Sequence, residues 1–117
     1  MKNKEIYSLY ITLNNLPSIK LPAKTSFSIV RNLKTLEPIV KDIEQTRLSI
    51  LQEYGEEKEG IFHFPENKIE EVTKELESLA EVDVDVPLVK ISVSDLEQLN
   101  LSVEEATNLF FMIEEKG

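Results

Sequence analysis

The sequence predicts an α+β fold: a long helical hairpin, a small antiparallel sheet and a C-terminal helix. Apolar residues recur at helical spacing over residues 25–54 and again over 66–80. Valine and aspartate alternate at the start of residues 82–93, which is typical of a strand. A serine–glutamate pair at the head of residues 102–115 is typical of a helix N-terminus. The 117 residues are enough for a single domain, 1–117, with one core.

Residues 5–22 are predicted to form a β-strand followed by a hairpin. Residues 5–13 mix β-branched, aromatic and polar side chains in near-alternation, as strands do. A turn at residues 14–18 would end this strand, because asparagine tolerates left-handed backbone and Pro17 cannot continue a ladder. Residues 19–22 would then return as a short second strand.

Residues 25–54 are predicted to form one long helix that Thr25 or Ser26 caps. Arg47 occupies one seam position of its heptad-like apolar stripe. The stripe consists of Ile29, Leu33, Leu36, Val40, Ile43, Ile50 and Tyr54. Pro38 could kink this helix or begin a second one. Because the stripe continues through the proline in phase, the sequence favours one kinked helix.

The long helix is predicted to pair with a second helix over residues 66–80. A charged loop, residues 56–60, would connect it to a short strand at 61–64, which Pro65 closes. The apolar residues of the second helix are Ile69, Val72, Leu76 and Leu79. Facing stripes would pack the two helices as an antiparallel hairpin.

The C-terminal part is predicted to supply the last strand and the last helix. Residues 82–93 would join 5–13 and 61–64 in one antiparallel sheet. Ser94 with Glu97 would open a short turn, and a second capping box would open a helix over 102–115. The buried face of that helix would consist of Val103, Ala106, Leu109, Phe110 and Ile113.

Acidic residues are concentrated in the middle of the chain. Residues 53–85 hold 12 acidic and three basic residues, a net charge of −9, whereas residues 1–52 carry +4. This field repels nucleic acid and favours a cationic partner surface. The alternative is a solvated helix face that keeps the protein soluble, which the interspersed Lys68 and Lys74 favour.

The residues that most enzyme and cofactor sites require are missing from the sequence. It has no cysteine, a single histidine (His63) and three glycines that form no phosphate-binding loop. Asp83 and Asp85 would bind a divalent cation only weakly on a wet strand face. We therefore expect no enzyme activity, no cofactor, no metal site and no direct nucleic-acid binding. No apolar run approaches the length of a membrane span.

Two groups of residues are candidates for contact with a protein partner. The first is acidic and consists of Glu56, Glu57, Glu59, Glu70 and Glu71. The second lies in residues 109–113, which are apolar all round, so that Phe111 or Met112 could dock on a partner or a second copy. The alternative is a last helix that is central in the fold and buried on both sides.

Several stretches resemble a family of short uncharacterised proteins encoded by tailed phages and prophages of Gram-positive bacteria. These stretches are YITLNNL (10–16), RNLKTLEPIVKDIEQTRLSILQEYG (31–55), KELESL (74–79), VDVDV (82–86), ISVSDL (91–96), LS (101–102) and LFFMI (109–113). The resemblance implies a phage-encoded protein acting in the bacterial cytoplasm or in virion assembly. It carries over no catalytic residues.

The expected function is therefore binding to a protein without catalysis, as a phage-encoded accessory or assembly factor. Its partner would be a phage structural protein or a host protein, and self-association is an alternative. A second hypothesis is an acidic, anti-CRISPR-like inhibitor of a host defence nuclease, in which residues 53–85 imitate nucleic acid. We expect the protein in the cytoplasm of the bacterial host, or associated with the virion.

Overall fold

The computed structural model describes residues 1–114 and confirms the α+β class, with a long helix, a small antiparallel sheet and a C-terminal helix. In this range the α-helices are α1 (Asn3–Asn14), α2 (Ala23–Tyr54), α3 (Ile69–Glu81) and α4 (Val103–Leu109). The strands are β1 (Glu56–Lys58), β2 (Ile61–His63), β3 (Ile91–Ser92) and β4 (Ile113–Glu114). Short 3₁₀ turns cover Glu66–Lys68, Val93–Leu96 and Phe110–Met112.

Helix α2 runs through both parts of an elongated molecule of 52 × 30 × 25 Å. Its 32 residues give a length of about 48 Å. The first half of α2 packs in a core with α1 and residues 82–114, and we call this part the head. Residues 44–75, which comprise the second half of α2, the β1–β2 hairpin and most of α3, form the arm.

The helices predicted over 25–54 and 66–80 are confirmed with small shifts of their ends. Helix α2 begins at Ala23, so Thr25 lies inside its first turn and is buried there instead of capping it. The helix continues through Pro38 without interruption, which confirms one helix instead of two. Pro38 and Lys34 are both exposed, so water can satisfy the Lys34 carbonyl that loses its helical donor.

The strand predicted over residues 5–13 is wrong, because these residues belong to α1. Ile6, Leu9 and Leu13 are all buried, and their spacing of three and four places them on one face of a helix. A strand would put Ile6 on the opposite face from Leu9 and Leu13. Glu5 also supports the helix, since its carboxylate accepts a 2.7 Å hydrogen bond from the backbone N–H of Lys2. The predicted strand over 19–22 is likewise irregular chain.

Residues 82–93 are not the continuous strand that their alternation predicts. Only Ile91–Ser92 form a strand, and this strand pairs in parallel with β4. The alternation sorts the side chains in part, since Val84 and Val86 pack on the core while Asp83 and Asp85 are exposed, as is Val82. A regular ladder is missing because the strand expected beside it, residues 5–13, is a helix.

The backbone of this extended segment finds its hydrogen bonds piecewise instead. The amide of Val84 donates to the Met1 carbonyl at 2.7 Å, and the Asn3 amide donates to the Val82 carbonyl at 2.9 Å. Further along, the side chain of the fully buried Asn32 of α2 supplies the hydrogen bonds. Its Oδ1 accepts from the Val89 amide at 2.7 Å, and its Nδ2 donates to the Val89 carbonyl at 2.9 Å. A single side chain thus replaces a neighbouring strand at Val89.

The charged loop predicted at residues 56–60 is in fact the first strand and turn of a hairpin. The strand expected at 61–64 forms over Ile61–His63, but it pairs with Glu56–Lys58 and not with the predicted partners. Glu59 and Gly60 connect the strands with φ of 54° and 78°. Two positive φ values are what a two-residue type I′ turn requires, and glycine adopts them without strain.

The C-terminal helix is shorter than the predicted 102–115. Its capping box is confirmed, because the Glu105 amide donates to Ser102 Oγ at 3.1 Å and the Ser102 amide donates to Glu105 Oε1 at 3.0 Å. Helix α4 ends at Leu109, and a 3₁₀ turn then places β4 beside β3. Glu115, the last residue of the predicted helix, lies outside the described residues.

Candidate protein-binding surfaces

An apolar groove, here the C-terminal groove, lies in the head between the 3₁₀ turn Val93–Leu96 and α4. It encloses about 770 Å³, within the usual range for ligand pockets of about 300–1,000 Å³. Its lining residues are Ser92, Val93, Leu96, Glu97, Leu101, Ala106, Leu109, Phe110, Ile113 and Glu114. The groove forms because the chain reverses after α4 to bring β4 next to β3, which leaves a gap beside the short helix.

The rim of the C-terminal groove exposes large apolar side chains, whereas its floor belongs to the core. Phe110 and Val93 are 58% and 57% exposed. Leu96 and Leu109 are buried and form part of the main hydrophobic cluster. The floor is therefore held in place by core packing. The apolar side chains of the rim stay in contact with water until a partner covers them.

The prediction that Met112 could dock on a partner is wrong. Met112 is fully buried, with its Sδ 3.7 Å from Nδ2 of Asn32. Phe111 is half-buried, and its carbonyl accepts a hydrogen bond from Lys90 Nζ. Within residues 109–113 the exposed aromatic residue is Phe110, which the sequence analysis assigned to the buried helix face.

The error at Phe110 comes from the choice of the buried face of α4. Val103 and Ala106 were predicted on the same buried face as Phe110, but Val103 is 86% exposed and Ala106 is exposed too, although both lie inside the helix. Leu109 is buried as predicted, and Met112 packs in the same core. The core therefore covers the side of this segment that carries Leu109 and Met112, and Phe110 is turned to solvent.

The acidic candidates all lie on the surface of the arm. Glu56 and Glu57 are exposed on β1, Glu59 in the turn, and Glu70 and Glu71 on the first turn of α3. Lysines lie among them: Lys58 is 4.0 Å from Glu56, Lys68 is 3.5 Å from Glu71, and Lys74 is 3.4 Å from Glu70. The arm is therefore acidic but partly neutralised, and its exposed ion pairs are weak in water.

Within the arm, Phe64 at the end of the hairpin packs closely on Gly55 at the end of α2. A Cβ on Gly55 would lie 2.6 Å from Cε1 of Phe64, so the ring rests directly on the bare glycine backbone. The Phe64 ring also stacks near that of Phe62, with centroids 6.4 Å apart. His63, between them, is exposed on β2. Within residues 1–114 no group of three or more histidines or acidic residues is placed to hold a metal.

A cluster of opposite charges joins α1 to α3 at the base of the arm. The Glu81 carboxylate lies 2.7 Å from Lys2 Nζ and 2.6 Å from Lys4 Nζ. Hydrogen bonds from Lys2 and then from Lys4 lower the pKa of Glu81 to about 2. The same hydrogen bond raises the pKa of Lys2. These charges hold the start of α1 against the end of α3.

Arg47, which the heptad register places in the seam, instead lines a cleft of about 670 Å³ where α1, α2 and α3 diverge. Ile43, Leu76 and Leu79 contribute apolar surface to this cleft, and Glu44 and Lys4 contribute opposite charges. The mixed signs give no selectivity for a cation or an anion. Among residues 1–114, no helix has the length and apolar character needed to cross a bilayer.

Comparison of the chain with protein-family models, with curated proteins and with solved structures gave no match. The resemblance of the sequence to phage proteins therefore stays a prediction. The surfaces described above are the basis for a functional proposal.

Proposed function

We propose that this chain is a non-catalytic protein-binding protein that holds its partner in the C-terminal groove. The observation that carries this proposal is the exposure of Phe110, at 58%, beside a floor of buried core residues. Covering apolar surface gains about 25 cal/mol per Å². An aromatic residue at the edge of a preformed apolar pocket is typical of an interface anchor.

The placement of the groove also supports binding without large rearrangement. Leu96 and Leu109 are held by the core, and Ser102 and Glu105 cap α4, so the floor exists before a partner arrives. Preorganised surfaces lose less entropy on binding. The resemblance to phage proteins extends the proposal to a phage-encoded accessory or assembly factor that acts inside a bacterial host.

Site-specific crosslinking tests this proposal. Benzoylphenylalanine would replace Phe110 in one variant and Phe27, which is 72% exposed on α2, in a matched control. Both would be expressed in a Gram-positive host infected with a tailed phage, and then irradiated. We expect one discrete protein adduct at position 110 and none at 27. Equal adducts at both positions, or none at 110, would contradict the proposal.

A second candidate function is inhibition of a host nuclease by the acidic arm. The exposed Glu57 and Glu59 favour it, because within residues 1–114 no basic side chain lies within 4.0 Å of either carboxylate. A crosslinker at Ile61, 63% exposed on the hairpin, tests this candidate. An adduct with a basic nuclease at position 61 that forms in lysate irradiated at low salt, but not in lysate irradiated at about 0.5 M salt, would favour the inhibitor.

A further inference from the structure

The segment of the chain that forms the groove carries acidic residues and no basic ones. All lining residues of the C-terminal groove come from residues 92–114. Residues 91–114 include no lysine or arginine, and their acidic residues are Asp95, Glu97, Glu104, Glu105 and Glu114. Glu97 and Glu114 line the groove itself. The Glu105 carboxylate caps α4, so the carboxylates at the apolar floor are those of Glu97 and Glu114.

We infer that the occupant of the C-terminal groove is a protein segment with a few apolar anchors flanked by lysine or arginine. This inference rests on the proposed function and adds the chemistry of the partner. Apolar anchors would cover Phe110 and Val93, and flanking cations would meet Glu97 and Glu114. An acidic segment would bring like charges together at a partly desolvated rim, which is unfavourable.

The arm offers more negative charge but a poorer site for such a segment. Its acidic residues are interspersed with Lys58, Lys68 and Lys74, each already close to a glutamate. The arm exposes single apolar side chains such as Ile61, at 63%, so contact with it would depend mainly on charge and would weaken with salt. The C-terminal groove combines a preformed apolar floor with Glu97 and Glu114, so a basic segment with apolar anchors gains both apolar burial and charge complementarity there.

Three synthetic peptides test the inference by fluorescence anisotropy at 0.15 M salt. Each has 15 residues and a fluorescein label. The first has leucines on one helical face and lysines elsewhere, the second replaces every lysine by glutamate, and the third replaces every leucine by serine. We expect the lysine–leucine peptide to bind about tenfold more tightly than either of the others.

Matched variants of the protein locate the binding. Phe110→Ser is expected to weaken the lysine–leucine peptide about tenfold, since it removes the rim aromatic. Phe27→Ser, at an exposed phenylalanine outside the groove, should leave binding unchanged. The double change Glu97→Gln with Glu114→Gln should weaken binding about threefold. Glu56→Gln with Glu57→Gln, which removes the same charge from the arm, should have no effect.

The possible results separate this inference from the proposal beneath it. The lysine and glutamate peptides could bind equally well, with both depending on Phe110. That result would contradict a basic partner but would still support the groove as the binding site. Binding that the arm variant abolishes, or that Phe110→Ser leaves intact, would overturn the inference. Failure of all three peptides to bind would also overturn it, whereas the crosslinking at position 110 decides the proposed function independently.

Discussion

The head and the arm share one continuous helix, α2, yet they are stabilised in different ways. Among residues 1–114, ten buried apolar side chains form the cluster in the head, whereas Val72 is the one buried apolar side chain in the arm. The arm depends on helix continuity, a tight turn and exposed ion pairs. A region with few buried contacts opens locally at lower free energy than the core. We therefore expect amides of the hairpin to exchange well before those of α1.

The largest expected effect comes from charge placed in the core of the head. Leu36→Asp buries a carboxylate at a fully buried position, and we expect loss of cooperative folding, a cost of more than about 4 kcal/mol. Leu48→Asp, at a position 45% exposed on the arm, should cost less than about 1 kcal/mol. Urea denaturation measures both. A cooperatively folding Leu36→Asp variant would reject the head packing.

The next-largest expected effect concerns the two hydrogen bonds between the Asn32 side chain and the backbone of Val89. Asn32→Ala removes both partners of the Val89 backbone and should lower the free energy of unfolding by about 2–4 kcal/mol. The matched control is Asn100→Ala at an exposed position of the head, which should change it by less than about 0.5 kcal/mol. Thermal and urea unfolding provide the comparison. Similar stability of the two variants would show that water replaces Asn32 at Val89.

A smaller effect is expected at the base of the hairpin. Gly55→Ala places a methyl group on the Phe64 ring and should cost about 1–3 kcal/mol, confined to the arm. Hydrogen exchange should show faster exchange of residues 56–63 and unchanged exchange in α1. Gly60→Ala provides a second test. Because Gly60 has a φ of 78° and open space around it, alanine there should cost about 1 kcal/mol through backbone strain alone. Equal acceleration in α1 would show that head and arm unfold together.

The smallest effect is the pH dependence of the charge cluster at Glu81. Because folding lowers the pKa of Glu81 from 4.5 to about 2, its stabilisation is present above pH 4.5 and is lost as the pH falls towards 2. The difference in Tm between wild type and Glu81→Gln should therefore be largest near neutral pH and vanish near pH 2. Glu77→Gln on the same helix should show no such trend. A difference that does not change with pH would exclude this linkage.

Local patterns predicted those parts of the molecule whose hydrogen bonds are local. The stripes of α2 and α3 and the Ser102–Glu105 cap could be read because a helix satisfies its own backbone. The same reasoning failed for residues 5–13, where the β-branched and aromatic composition was given more weight than the helical spacing of Ile6, Leu9 and Leu13. It also placed Phe110 in the core, because the face of α4 that the core covers depends on contacts with α1, which is distant in the sequence.

The sequence by itself determined the charge distribution, the long helix, its partner α3 and the capped start of α4. Only the tertiary structure decided that residues 5–13 are helical, that Asn32 takes the place of a strand beside Val89, and that Phe110 stays outside while Met112 is buried. The physical reason is common to these cases. Nearby residues decide a helix or a cap, whereas long-range contacts in the core decide where the remaining backbone groups and apolar side chains are satisfied.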